Sequence, residues 1–285
     1  MPIRQQNRGK RLPTRIGIGL LGLAMLATAA CQSTAVDSAG SDGFGHVHGI
    51  AVNPGDGRLY VATHHGVFRV SAAEPAKRVG NGKQDTMGFA IAGADRFLAS
   101  GHPAPGEGGP AHLGLIESTD AGHNWRTLSL AGKADFHALR VAQGIVYGLD
   151  STTASLMAST DRVNWQVRST VETNDLAVDP GRAETLLAAT DQGVRRSGDG
   201  GRTWSSASGP ALRLLHWSEP TQLWAVAPDG QILRSTDGGA AWSTTGGRVP
   251  NAPAAFTVDG GTMYVATEDA KLLRSTDTGA TWQAM

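Results

Sequence analysis

Nine histidines are spread unevenly along the 285 residues of this chain, and most fall in its first half. His46 and His48 form a His-Val-His triplet, and His64 and His65 are adjacent. His102 and His112 end a Gly- and Pro-rich stretch, and His137 follows Ala-Asp-Phe. Imidazole is the commonest protein ligand for metals and binds in its neutral form. Several imidazoles with a thioether such as Met87 suit copper. Imidazoles with a carboxylate such as Glu107 or Asp150 suit zinc or another divalent ion. In an extended strand, residues two apart share a side, so the rings of His46 and His48 are expected on one side. The plainer alternative is that these histidines hydrogen-bond loops or contact a polar ligand. The candidate metal set is therefore His46, His48, His64, His65, Met87, His102, His112 and His137, with His48, His65, His102 and His137 foremost.

The elements that must position these residues are set by a repeat. Ser118-Thr-Asp-Ala-Gly-His-Asn-Trp125 returns as Ser197-Gly-Asp-Gly-Gly-Arg-Thr-Trp204 and Ser235-Thr-Asp-Gly-Gly-Ala-Ala-Trp242, and again as Ser275-Thr-Asp-Thr-Gly-Ala-Thr-Trp282. A shortened copy, Ser159-Thr-Asp-Arg-Val-Asn-Trp165, lies between the first two. The tryptophans step by 40, 39, 38 and 40 residues. Each unit divides into four short strands, as in Leu59-Tyr-Val-Ala-Thr63 followed by Gly66-Val-Phe-Arg-Val70. Six such units fit 46–285, so the sequence predicts an all-β, six-bladed β-propeller with four-stranded antiparallel blades of about 40 residues. The last blade ends soon after Trp282 with no strand left over, so ring closure is expected by face packing of blades 1 and 6.

Ser-x-Asp-x-Gly-x-x-Trp resembles the Asp-box, or BNR repeat, of sialidase-like and sortilin-like propellers. That resemblance implies a structural turn between third and fourth strands, on the face away from an active site. It assigns Asp120, Asp161, Asp199, Asp237 and Asp277 to hydrogen bonding within the turn. Trp125, Trp165, Trp204, Trp242 and Trp282 would fill the space between blades. Blade 3 lacks the Gly and one residue, so its turn should differ. Strand-one starts and the loops between strands two and three share one face of a blade. Seven of the nine histidines map to that face in blades 1–3; His123 and His216 do not.

A sialidase would also need an arginine cluster, an activated tyrosine and an acid. Tyr60, Tyr147 and Tyr264 all sit at the second-strand position and read as packing residues. Only Arg140 and Arg213 lie near inner-strand starts, and no Arg-Ile-Pro motif occurs. Other glycosidases use two facing carboxylates. Glu107, Asp150, Asp175, Asp191 and Glu268 would be the pool, but none stands out. The reading leans away from an enzyme.

The first 15 residues are basic and polar, and 16–27 are an apolar run before Thr28-Ala-Ala-Cys31. This pattern predicts a signal peptide over 1–30. Its end resembles a lipobox, with Thr28 where Leu is usual, and makes Cys31, the only cysteine, the lipidated residue. Residues 31–45 then form a flexible tether, and 46–285 the propeller. The expected location is extracytoplasmic, at the cell surface or in a periplasm, with membrane contact through the lipid alone. Five of the 25 basic residues and none of the 25 acidic ones lie in the first 30. The remainder carries a formal charge of −5, which gives no reason to expect nucleic acid. Three functions stay open. The first is a module holding copper or zinc. The second is an interaction propeller, resembling photosystem assembly factors and sortilin, with a protein partner on the histidine face. The third is a glycoside hydrolase.

Overall fold

The computed structural model describes residues 43–285; the signal-peptide reading, Cys31 and most of the tether lie outside the described residues. The described chain is a six-bladed β-propeller in which consecutive strands pair antiparallel within each blade. Blade 1 comprises β1 (Val47–Asn53), β2 (Arg58–Thr63), β3 (Gly66–Ser71) and β4 (Glu74–Arg78). Blade 2 comprises β5 (Asp85–Gly93), β6 (Arg96–His102), β7 (Leu115–Ser118) and β8 (Arg126–Ser129). Blade 3 comprises β9 (Phe136–Ala142), β10 (Ile145–Asp150), β11 (Ser155–Ser159) and β12 (Gln166–Thr170). Blade 4 has β13 (Asp175–Asp179), β14 (Arg182–Thr190) and β15 (Gly193–Ser197), and a single bridge from Val194 to Ser208 where an outer strand would run. Blades 5 and 6 return to four strands, β16 (Leu214–Glu219) to β19 (Ser243–Arg248) and β20 (Pro253–Asp259) to β23 (Gln283–Ala284).

The middles of the second strands are buried and mostly apolar because a blade packs on both of its faces. Leu59, Tyr60, Val61 and Ala62 of β2 are all buried, whereas outer strand β8 is half in solvent. Six apolar clusters lie between adjacent blades. One joins Tyr60 and Val67 to Phe89 and Phe97, and another joins Leu98 and Leu115 to Phe136 and Leu139. Ring closure is the sixth: Val47, Ile50, Val61 and Phe68 pack on Ala255, Ala266 and Leu272. Blades 1 and 6 thus meet face to face. Phe44, inside the segment read as tether, sets its ring edge-on to Phe68 at 5.1 Å.

The Ser-x-Asp turns follow the third strand in blades 2 to 6, and lead into a fourth strand in all of these but blade 4. In blade 4, Asp199 Oδ1 accepts the Thr203 N–H (2.9 Å) and Oδ2 the Thr203 hydroxyl (2.6 Å), while Ser197 Oγ accepts the Gly201 N–H (2.8 Å). Gly201 has φ +80, and a Cβ there would sit 2.2 Å from a Leu156 methyl. Hence glycine is required at this close approach. In blade 3, Arg162 takes φ +65 and its N–H reaches Ser159 Oγ (2.8 Å), so the shorter turn closes one residue earlier. The tryptophans bridge blades. Trp165 Nε1 donates to Ser129 Oγ and Trp204 Nε1 to Ser169 Oγ, each on the preceding blade. Trp125 and Trp242 pack against the clusters between blades 1 and 2 and between blades 4 and 5. Trp282 Nε1 donates to the Arg248 carbonyl of blade 5.

Those hydrogen bonds favour the ionised carboxylate. Donation by Thr203 and Thr281 pulls Asp199 and Asp277 from 3.8 to about 2. Their folded values are depressed, so the stability they add is complete above the ordinary carboxylate range and is lost as pH falls through about 2. A double variant, Asp199→Asn with Asp277→Asn, is expected to lose less Tm between pH 4 and pH 2 than the parent chain. Equal losses in thermal melts would remove this account of the turns.

Candidate functional site

The opposite face is built on a repeated irregularity. Val47 pairs with Thr63 and Gly49 with Ala62, so His48 is an extra residue at the start of β1. Blades 2, 3 and 6 carry the same bulge, with Met87, His137 and Ala254 as the extra residues. Such a bulge bends the strand and re-aims its side chain. The next residue is small each time, because inner strands crowd at the axis. A Cβ on Gly88 would lie 2.3 Å from the Phe136 carbonyl oxygen. Two residues before each extra residue, His46, Asp85 and Asp135 share one register position. Their cross-strand neighbours are His64, His102 and Ser151.

Asp85 and Asp135 organise the face, and neither is among the residues singled out from the sequence. Around Asp85, His64 Nδ1 lies 2.8 Å and His48 Nε2 3.9 Å from Oδ1. Around Asp135, His102 Nε2 is 3.4 Å and His112 Nδ1 3.9 Å from Oδ2. The same oxygen receives His137 Nε2 and the Ser151 hydroxyl, each at 2.9 Å. In each set of three, His48–His64–Asp85 and His102–His112–Asp135, the ligand atoms lie within 4.8 Å of one another. Asp135 is only 4% exposed.

Four buried atoms here have no hydrogen-bond partner: His48 Nε2, Asp85 Oδ1, His112 Nδ1 and Asp135 Oδ1. Each group therefore holds one orphaned imidazole nitrogen and one orphaned carboxylate oxygen. The 2.8 Å approach of His64 to Asp85 lacks hydrogen-bond alignment. A buried polar atom left unpaired costs about 1–3 kcal/mol, so four of them on one face mark it as the candidate site.

The electrostatics keep one key ring neutral. Burial, then repulsion from His64, lowers His48 from 6.5 to about 4 against the pull of Asp85. At pH 7 its lone pair is free to bind a cation. Deeper on the axis, a cavity of about 310 Å³ is walled by inner strands from all six blades and touches both His48 and His137. Burial and then the Arg140 guanidinium hold His216, on this wall, at about 4. Arg140 itself is engaged by Asp175 and by the Leu176 carbonyl (2.6 Å). A second cavity of about 810 Å³ lies between blades 3 and 4, bordered by His137, Glu172, Asn174, Asp191, Gln192 and Arg195.

The remaining candidates fall as follows. His46 is exposed, with its ring 5.4 Å from His64 and 6.4 Å from His48. His65 stands beside Gly45 and contributes its backbone, its N–H donating to Thr63 Oγ1 (3.0 Å) and its carbonyl accepting Arg78 Nε–H (2.9 Å). The turn thus points His64, not His65, at a carboxylate. Met87 is half-buried and is the extra residue of the blade 2 bulge. Glu107 caps its own loop by accepting the Ala104 N–H (3.3 Å). Despite the opposing effect of burial, donation from Asp135 N–H, Thr153 and Thr152 holds Asp150 below its ordinary value. Asp150 thereby braces Asp135 from behind, its Oδ1 accepting that N–H at 3.0 Å.

No protein-family profile matches the chain, and no curated protein does. Solved structures match the fold. One is a nidogen/laminin complex (TM-score 0.62, 12% identity, 79% of this chain and 91% of that one). Another is YCF48 bound to a D1 peptide (0.57, 12%, 81% and 93%). A third is the GH74 xyloglucanase from Xanthomonas campestris (0.56, 18%, 85% and 45%). A GH74 enzyme from Niastella koreensis is matched over 37% of its length (0.54, 16%, 84% of this chain), so this chain spans less than half of those GH74 enzymes. The neighbours include hydrolases and interaction propellers, and at these identities they define the β-propeller fold alone.

Proposed function

We propose that the chain is a metal-holding propeller whose histidine face binds divalent transition ions at Asp85 and Asp135. The observation that carries this reading is the set of four orphaned, buried donor atoms, one imidazole nitrogen and one carboxylate oxygen in each group. The spacing within the two groups supports it. Zinc binds nitrogen and oxygen at about 2.0–2.2 Å, so two ligands of one tetrahedral ion lie roughly 3.3 Å apart. Within the groups, the separations of 3.9 Å (His48 Nε2 to Asp85 Oδ1) and of 3.4 and 3.9 Å (His102 Nε2 and His112 Nδ1 to Asp135 Oδ2) are expanded edges of such a tetrahedron. Three protein donors per group leave a fourth position open to water or a ligand. His137 and Ser151 on Asp135 are the outer partners that fix a ligating carboxylate. The donors of the two groups are nitrogen and oxygen, which suits zinc or copper(II). Calorimetric titration of metal-stripped protein with zinc chloride tests the reading. Affinity tighter than micromolar is expected, and its absence would end it.

The sequence features extend the proposal. We read the chain as an extracytoplasmic Asp-box propeller tethered by lipid on Cys31. Cys31→Ala is expected to move the protein from the membrane fraction to the soluble fraction; unchanged membrane fractionation would contradict the anchor. The cleft of about 810 Å³ beside His137 supports a second reading, a protein segment docked next to the ions. Charge reversal at Asp191 would then abolish capture of that partner while leaving zinc affinity intact. A glycosidase draws no support from the five carboxylates considered. Asp150 and Asp175 are tied into hydrogen bonds, Asp191 accepts one from Asn174, Glu268 pairs with Arg213, and Glu107 caps its loop.

A further inference from the structure

His102 stands between the two groups. Its Nε2 lies 3.4 Å from Asp135 Oδ2, and its Nδ1 lies 3.5 Å from Asp85 Oδ2. The other oxygen of Asp85 faces His48 and His64. One carboxylate therefore addresses both groups, each through a different oxygen. We propose that Asp85 acts twice: Oδ1 ligates the ion held with His48 and His64, and Oδ2 orients His102 on the ion at Asp135. This inference rests on the metal reading above.

The chemistry follows from the imidazole ring. A neutral ring binds a metal through one nitrogen and carries its proton on the other. With Nε2 toward the Asp135 ion, the proton sits on Nδ1, the atom that faces Asp85. A carboxylate accepting that N–H fixes the tautomer and makes the ring a better donor. An ion at the first group draws the Asp85 charge toward itself and adds positive charge nearby. Both effects weaken His102 as a ligand. The two sites are thus coupled, and each ion lowers the affinity for the other by the same factor. Asp85 is a positioning residue for the second ion although it does not touch it.

Calorimetry with zinc chloride on the metal-stripped full chain tests this. His48→Ala with His64→Ala removes the first site's imidazoles and keeps Asp85. His112→Ala disables the second site. The product of the two wild-type association constants is expected to fall tenfold or more below the product of the isolated sites' constants. Asp85→Asn is expected to leave one ion, bound about 10–100-fold more weakly than in the His48→Ala/His64→Ala protein. Equal products, or equal affinities in those two variants, would overturn the coupling. If Asp85→Asn fails to fold by circular dichroism, the comparison of products decides alone. A wild-type chain that binds one ion also overturns the coupling but leaves a metal site. A wild-type chain that binds none overturns the metal reading itself.

Discussion

Replacing His48 and His112 together with alanine is expected to abolish zinc binding, and with it the stabilisation that zinc confers. Each substitution removes the one orphaned imidazole nitrogen of its group. Each leaves the backbone, the bulge and the carboxylate in place. A ligand that binds only the folded state, at a hundredfold excess over its Kd, adds about 2.7 kcal/mol per site. For a chain of this size that is roughly 5–10 °C in Tm for each ion. The double variant should melt where the metal-free parent melts, with zinc or without it. The single variants should each keep one ion. If the double variant retains the zinc-dependent shift, the histidine face is not where the ion sits. Neither side chain fills an interblade cluster, so the metal-free stability should change little. A large loss of metal-free stability would mean that these rings serve packing and would return them to the plainer reading.

The second large effect concerns the floor beneath that face. Phe136 lies between Asp135 and His137, is 0% exposed, and packs its ring 4.8 Å from Trp165. It joins Leu98, Leu115, Leu139 and Val146 between blades 2 and 3. Gly148 admits the ring, since a Cβ there would lie 2.5 Å from a ring carbon. Phe136→Ala is expected to cost about 3–5 kcal/mol, the range for removing a buried aromatic side chain. Tm should fall by roughly 10 °C or more. Phe136→Leu, which keeps most of the volume, should lose less than half as much. Denaturant unfolding of the two variants checks this, and a loss below about 1 kcal/mol for alanine would contradict the packing account.

The blades were legible because their repeat rests on residues with few substitutes. Gly201 is held by a close contact with Leu156, and Trp204 by the gap between blades 3 and 4. Close contacts also hold Gly239 and Gly279 in the turns of blades 5 and 6, so the spacing of the repeat sets blade number and strand order. The missing outer strand of blade 4 was hidden. Residues 205–208 follow the same Trp, but Ser205, Ser206 and Ser208 offer no β-branched run to hold a ladder.

The histidines were legible as a set sharing one face, since strand order places strand-one starts beside the loops between strands two and three. Which ring meets which carboxylate was not. His64 and His65 are neighbours in a tight turn, and only backbone torsion decides that His64 points inward. Asp85 and Asp135 were passed over because an aspartate before a strand also reads as an ordinary turn residue. A signal for them exists in the register. Asp85-Thr-Met-Gly88 and Asp135-Phe-His-Ala138 align with His46-Val-His-Gly49. Three blades thus share a polar residue two before the bulge and a small one just after it.

Anomalous diffraction at the zinc edge, from crystals grown with zinc, tests the central claim most directly. Two peaks are expected, one about 2.0–2.1 Å from His48 Nε2 and beside Asp85, the other equally close to His112 Nδ1 and beside Asp135. Crystals that hold zinc elsewhere, or show no peak at either carboxylate, would contradict it.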